Sequence, residues 1–482
     1  MRLEIFRRSL LGSVPALLIV GRATAQAEKI ELQANLGIWT DDFEELLNRR
    51  VIRMLVPYGR TLFFQDRGTV YGATVHAAQL LETWINRTFE TGRRPLVVAL
   101  IPTSRERLLD DLLSGRGDIA AGDISVTPDR AKRVAFTVPL RRDVKEIVVT
   151  RADAAPIADA GALSDMAVAV QDGTSFQQSL VALNQHLEEA RKLPVRVLTV
   201  PATLESEDMM EMVAAGLLPA MVADDWIAEL WTTLVPGLRL QSTAVLREGA
   251  DIAWAVRPGN PKLLATLNDA IGKLGGDTQK IARGTAAYMH KLKQIHGATA
   301  GADVQRFQTL RALFTRYGDS YDFDDLLLQA QSYQESRLQQ DARSHVGAVG
   351  LMQLMPATGA SMKVGDIHQA EPNVHAGAKY MRQLVDRYFP DAKFDRQNRT
   401  LFAFAAYNAG PGAIARMRKL AVEEKLDADR WFDNVERVTA ARIGQEPVRY
   451  VRNIYKYYVA YTLLEQQEKA TEQARKALTT GQ

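Results

Sequence analysis

One acidic side chain in the C-terminal third stands where a helix could make it a proton carrier. In "DDLLLQAQSYQESRL" (324–338), Leu328, Ser332 and Glu335 are spaced i, i+4, i+7 and share one helical face. Glu335 falls under a partly apolar stripe, close to the expected helix C-terminus. Burial and the negative end of the helix dipole would both favour its protonated form. A carboxylic acid kept neutral near pH 7 is what a general acid needs. Spacing alone leaves a second reading open, a solvated carboxylate like most of the chain's 57 acids. Asp322 with Asp325 resembles a capping box and is expected to open this helix.

The blocks that follow separate the two readings. After Glu335 come Ser344, "GAVGLMQLMP" (Gly347 to Pro356), "AAYNAGPG" (Ala405 to Gly412) and "EPVRYV" (Glu446 to Val451). In this order and at this spacing, the stretch from about 310 to 465 resembles the soluble lytic transglycosylase catalytic domain, related in fold to goose-type lysozyme. The resemblance implies cleavage of the β-1,4 bond between N-acetylmuramic acid and N-acetylglucosamine in peptidoglycan. No water is used, and a 1,6-anhydro ring is left. Ordinary glycosidases flank the bond with two carboxylates. Here Glu335 alone would protonate the leaving oxygen and then deprotonate the sugar's own 6-hydroxyl, whose tethering replaces a bimolecular step.

The same resemblance implies roles for other residues. Ser344 would donate a hydrogen bond to the glycan or to Glu335, unless it is a plain helix N-cap. Gln353 would supply a glycan-binding amide and Met355 would line the sugar groove, although Met352 and Met355 at this spacing also suit a core. Tyr407 and Asn408 would stand beside the oxocarbenium-like charge. Glu446 would steady the site, and it is the candidate second carboxylate should the enzyme be a muramidase hydrolase. Tyr450 would belong to the same wall or to the core. Gly350, Gly410 and Gly412 would permit turns and close backbone approach. His345 stands where the family usually has Pro, and Asp341 where Asn is common. Both departures bear on subsite preference more than on the reaction. The seven histidines form no metal-ligand spacing, so neither metal nor cofactor is expected.

A second half precedes this one. From about Arg50 to Gly276 the chain alternates strand-like runs ("VIRMLVPY", "RPLVVALIP", "AVAVQDG", "VRVLTV") with helical ones, which argues α/β layers on a largely parallel sheet. "GRGDIAAGDISVTPDRAKRVAFTVPL" (Gly115 to Leu140) resembles the family 3 periplasmic solute-binding proteins, which implies two α/β lobes joined by crossovers near Arg141–Val144 and Leu246–Ala250. By that resemblance Arg130 takes a ligand carboxylate as a bidentate pair. Ser125 and Thr127 are the adjacent hydroxyls, Thr174 in "DGTS" is the second-lobe contact, and Asp224 pairs with an α-amino group. The implied ligand is an amino acid or a muropeptide. The acid usual in "YGATVHAA" is missing, and Leu and Pro219 precede Asp224 where an acid is common.

Length and charge frame these halves. At 482 residues, with 46% hydrophobic and 24% charged residues, more than one globular domain is expected. A formal charge of +3 without a basic tract disfavours a nucleic-acid partner. "MRLEIFRR", a thirteen-residue apolar run and "ATAQA" read as a secretory signal ending at Ala25 or Ala27, with a twin-arginine-like Arg7 and Arg8. Cutting after Ala27 removes Arg2, Arg7, Arg8, Arg22 and Glu4 and takes the charge from +3 to 0. The chain has no cysteine, hence no disulfide.

The expected order is signal 1–27, lead-in 28–49, solute-binding-like domain 50–285, linker 286–305 around "HGATAGAD", transglycosylase domain 306–467 and tail 468–482. In fold class this is a multidomain chain, a two-lobed α/β periplasmic-binding-protein-like domain followed by an all-α lysozyme-like one. The whole resembles the membrane-bound lytic transglycosylase F type. That implies a periplasmic enzyme acting on peptidoglycan glycan strands, with outer-membrane association that would be peripheral. The rival from another class is a non-catalytic ligand-binding or sensor protein.

Overall fold

The computed structural model describes residues 37–274 and 302–480; the signal read at 1–27 and most of the linker at 286–305 lie outside the described residues. The first part opens on α1 (Phe43–Arg49), capped by the Asp42 carboxylate, and on β1 (Val51–Pro57), buried along its whole length. A small hairpin, β2 (Phe64–Asp66) and β3 (Thr69–Tyr71), leads into α2 (Ala73–Thr88) and β4 (Val97–Thr103). There follow α3 (Leu108–Leu113), β5 (Ile119–Ser125), α4 (Pro128–Ala131) and β6 (Ala135–Phe136). Next come β7 (Arg141–Arg151), β8 (Ala167–Gln171), α5 (Ser175–Glu189) and β9 (Arg196–Val200). The last of this part are α6 (Ser206–Ala214), β10 (Ala220–Asp224), α7 (Asp225–Thr232), β11 (Leu238–Val256) and α8 (Pro261–Leu274).

The sheet order is β4-β1-β5-β11-β7-β10-β8-β9, with β6 on β11. Within each lobe the β1–β4, β1–β5, β8–β9 and β8–β10 pairs are parallel. The sheet as a whole is mixed, because β7 and β11 run antiparallel to each other and to their neighbours. These two strands are the crossovers. Their pairing runs from Leu238 opposite Arg151 in one lobe to Ile252 opposite Arg141 in the other. Four register shifts along it bend the ribbon where the lobes meet.

The second part is helical: α9 (Ala302–Tyr321), α10 (Asp325–Ser336), α11 (Pro356–Met362), α12 (Ala370–Tyr388), α13 (Arg396–Ala409), α14 (Pro411–Glu423), α15 (Glu436–Arg442) and α16 (Gln445–Thr480). The start of α10 differs from the capping box expected. Asp324 is the N-cap, accepting from the Leu327 N–H at 3.0 Å, while Asp322 sits at φ 56° and pairs with Arg399. The chain makes a left-handed turn at Asp322, so only the acid after Phe323 reaches the free N–H groups. α10 is buried on nearly every side, and its polar residues are bonded. Gln329 donates to the Phe307 carbonyl at 2.7 Å and Ser332 to that of Leu351 at 3.0 Å.

The two parts do not hang loosely from each other. Met209, Met212 and Trp231 of the second lobe share one continuous apolar core with Phe314, Leu328, Tyr455 and Tyr461 of the helical part. Ala440 and Val448 pack into the first lobe's core. Across the junction Lys456 Nζ lies 2.9 Å from Asp208 Oδ1 and also pairs with Glu211. Arg452 pairs with Glu436 and donates to the Thr203 carbonyl at 2.9 Å. Arg60 of the first lobe reaches the same acids, at 2.9 Å from Asp208 and 2.6 Å from Glu211.

Candidate active site

α10 delivers Glu335 in its last turn. The helix stops at once because Arg337 and Leu338 both take left-handed backbone, at φ 54° and 57°. Glu335 is half-buried, and burial raises its carboxyl above the ordinary glutamate value. One hydrogen bond opposes this: the Tyr450 hydroxyl, from α16, donates to Glu335 Oε1. Tyr450 therefore stands directly against Glu335. Burial and the nearby Glu335 push its phenol well above 10, so it stays a donor.

The loop after α10 folds back as a platform. Arg343 bridges to Val349 and Val349 to Leu354 in antiparallel fashion. Asn373, fully buried on α12, holds it: its Oδ1 accepts from Met352 N at 2.8 Å and its Nδ2 donates to the Val349 and Ile367 carbonyls at 2.9 and 2.8 Å. Gly350 has φ +77°, and a Cβ there would stand 2.4 Å from Asn373 Nδ2 and 2.6 Å from Gln340 Nε2. Only glycine fits.

Each expected residue can now be placed. Ser344 caps no helix and makes no hydrogen bond to Glu335; its Oγ accepts from Ala348 N at 2.9 Å and shapes the loop. The Gln353 amide is turned inward, donating to the Gly350 carbonyl at 2.9 Å and the Ala342 carbonyl at 3.3 Å. Met352 is core, but Met355 is 45% exposed. Tyr407 packs with its hydroxyl donating to the Met352 carbonyl at 2.9 Å, and it lies close enough to Glu335 for that charge to help raise its phenol. Asn408 donates to Glu446 Oε1 at 3.1 Å, and its own Oδ1 is buried without a partner. Glu446 is exposed, one helical turn before Tyr450. Gly410, at φ +88°, turns the chain from α13 into α14, whereas Gly412 has open space around it and no such need.

Sequence reasoning missed Asn373 and Gln331. Gln331 is fully buried and its Nε2 donates to the Tyr450 hydroxyl at 3.2 Å. The available signal was its position four residues before Glu335, which puts both on one helical face.

In the first part, a cavity of about 360 Å³ lies between the lobes, lined by Ser125, Arg130, Thr174 and Asp224 with Arg105 and Asp123. Thr127 is not in its wall; its side chain caps α4, accepting from Arg130 N at 3.4 Å. Thr174 likewise caps α5 while facing the cavity. Arg130 donates to the Ser125 carbonyl at 3.1 Å and pairs with no carboxylate among the described residues. Asp224 is buried with Oδ1 unpartnered, and burial together with Asp123 and Glu146 raises it well above the usual carboxylate range. Asp123, in left-handed backbone at φ 58°, is pushed up to about 6 by burial. Sequence patterns gave no sign of Arg105 or Asp123.

Both parts of the chain match known families. Residues 312–429 match the transglycosylase SLT domain, and residues 57–284 match the bacterial extracellular solute-binding proteins, family 3. A membrane-bound lytic murein transglycosylase F of Desulfosudis oleivorans is 29% identical over 73% of this chain and 79% of its own length. Its namesake in Alteromonas mediterranea is 28% identical over 88% of this chain and 92% of its own. Over most of its length the chain is thus similar to proteins named membrane-bound lytic murein transglycosylase F. Among solved structures, an amino acid ABC transporter substrate-binding protein from Streptococcus pneumoniae bound to L-arginine aligns with 52% of this chain and all of its own, at 18% identity and TM-score 0.43. The helical part carries the transglycosylase SLT match and the two-lobed part the solute-binding match.

Proposed function

We propose that this peptidoglycan lytic transglycosylase works through Glu335 alone, as acid and then as base. The observation that carries the reading is the isolation of that carboxyl. Its hydrogen-bond partner is the Tyr450 hydroxyl, and it forms no ion pair among the described residues. A double-displacement hydrolase needs a partner acid close by. The candidate for that role, Glu446, is exposed and engaged with Asn408. The neutral Glu335 protonates the glycosidic oxygen. The resulting carboxylate takes the proton of the muramic acid 6-hydroxyl, which closes on the anomeric carbon. Tyr407, Asn408 and Met355 form the wall against which the sugar lies, with Ser344 and Gln353 shaping the platform below.

Glu335→Gln tests this on purified sacculi. Loss of turnover with glycan binding kept is expected; surviving turnover rejects the catalytic assignment. Product mass separates lyase from hydrolase, because the anhydro product is lighter by one water.

The relatives' name gives an envelope location, and no helix among the described residues is long and apolar enough to cross a membrane. Periplasmic work with peripheral attachment is the reading that fits both. Arg130 and Asp224 make the interlobe cavity suited to a ligand with a carboxylate and an amine, an amino acid or a muropeptide stem. Both lobes touch α15 and α16: Arg437 donates to the Pro102 carbonyl at 3.2 Å, and Arg452 and Lys456 reach the second lobe. A ligand-driven change in the cleft would thus be felt by the helix that carries Tyr450. If muropeptides alter neither cleavage rate nor domain separation in solution, that regulatory role is rejected.

A further inference from the structure

We infer that Gln331 is a positioning residue for the transglycosylase reaction: its amide donates to the Tyr450 hydroxyl, directs that tyrosine's own proton to Glu335, and so decides which carboxylate oxygen carries the catalytic proton. The inference rests on the reading of Glu335 as the acid. Gln331 and Glu335 are four residues apart on α10 and so lie on one face. Both converge on one atom of α16, the Tyr450 hydroxyl oxygen. Gln331 Nε2 lies 3.2 Å from it, and it donates in turn to Glu335 Oε1.

The donor count fixes the direction of this chain. A glutamine NH2 can only donate, and a phenol has one proton. Once the phenol oxygen accepts from Gln331, its proton is free for the carboxylate. With Glu335 ionised, the reverse orientation of the amide would set two acceptors, Gln331 Oε1 and Glu335 Oε1, against that single proton. With Oε1 held as an acceptor, the proton of neutral Glu335 sits on Oε2. The acid then presents the same oxygen at every turnover, without a search between two.

Packing does not explain Gln331. It is 0% exposed, and its Oε1 is buried with no hydrogen-bond partner. Its neighbours on the helix, Leu327 and Leu328, fill their places with hydrocarbon. A residue of the same length without polar atoms would satisfy this position and leave no orphan oxygen. The residue that is there costs stability and yields a directed hydrogen bond at the site, a trade found at functional positions.

Gln331→Met and Gln331→Leu test the assignment in the full chain, with purified sacculi as substrate and 1,6-anhydro product measured by mass. The expected result is a fall in kcat of about tenfold with KM unchanged, the scale of one lost hydrogen bond. The alkaline limb of the pH profile moves upward, because a Tyr450 proton no longer aimed at Glu335 stabilises the carboxylate less. Melting temperature holds or rises. Tyr450→Phe loses activity by itself, and adding Gln331→Met to it causes no further loss, since Gln331 acts only through Tyr450. Unchanged kcat and pH limb in both single variants overturn the inference. So does an additive double variant, or a drop in melting temperature with kcat per folded molecule intact. A parent enzyme that releases no anhydro product would instead reject the reading of Glu335 itself.

Discussion

Lys456→Met should loosen the junction between the domains, by an amount the structure allows to be worked out. Lys456 is 2% exposed, and its ammonium sits between Asp208 at 2.9 Å and Glu211. Removing one partner of a buried ion pair leaves the other charge stranded and costs about 3–5 kcal/mol. Here the stranded acids keep other cations. Arg60 lies 2.9 Å from Asp208 and 2.6 Å from Glu211, and Arg452 is 3.4 Å from Asp208. The cost should therefore fall to about 2–3 kcal/mol, below the range for a fully stranded acid. The loss should depend on pH. Asp208 is held well below the usual carboxylate range, with Lys456 the largest lowering charge against the opposing effect of burial. A depressed folded pKa adds stability above the unfolded value of about 3.9, and that stability disappears as pH falls through the folded pKa. The deficit of the variant should thus be largest near neutrality and shrink in acid. Urea denaturation at pH 7 and near pH 3, with calorimetry to see whether one transition splits into two, measures this. Lys456→Met combined with Glu211→Gln should recover part of the loss, because both members of one pair are then uncharged. A variant within about 0.5 kcal/mol of the parent at pH 7, or strict additivity of the double, would refute the view that these charges bind the domains together.

Three further outcomes follow from the same structure. Because burial holds the Glu335 carboxyl up, the acid form persists above the ordinary glutamate value of about 4.3, and the alkaline limb of the activity profile should lie above it. A limb at or below that value would count against Glu335 as the acid. Asp224→Asn should stabilise the solute-binding-like domain by about 1–2 kcal/mol at pH 7, as a buried carboxylate facing Arg247 and several acids is removed. Its folded pKa is raised, so this penalty appears as pH climbs past the unfolded value, and parent and variant melting temperatures should converge near pH 3. Gly350→Ala should cost about 2–4 kcal/mol and most of the activity, since its Cβ collides with Asn373 at a left-handed backbone position; a stable, active variant in urea and sacculus assays would show that the platform relaxes freely.

The amino-acid sequence by itself determined the kinds of layers and singled out Glu335 as the candidate acid. Hydrophobic periodicity changes from strand-and-helix alternation to purely helical spacing, and that change separates the two halves without any coordinates. Glu335, with its motif blocks at domain-scale distance, was legible for the same reason: these are one-dimensional patterns. The N-cap of α10 was misplaced by two residues, because a left-handed turn at Asp322 is not written in residue type. Hydrogen-bond direction was hidden too. Ser344 and Gln353 read as substrate contacts in sequence, and in space Ser344 Oγ accepts from the loop's Ala348 N–H while the Gln353 amide donates to the Gly350 carbonyl.

Tertiary structure alone decided what converges on the acid. Tyr450 is 115 residues from Glu335 in the chain, and Asn373 is 21 from the Met352 N–H it anchors. Such pairs arise when helices pack, and no local propensity encodes them. The same holds for the junction, where Arg60, Asp208 and Lys456 come from three distant segments. A charge's partner is fixed by which surfaces are buried together, and burial is a property of the folded whole.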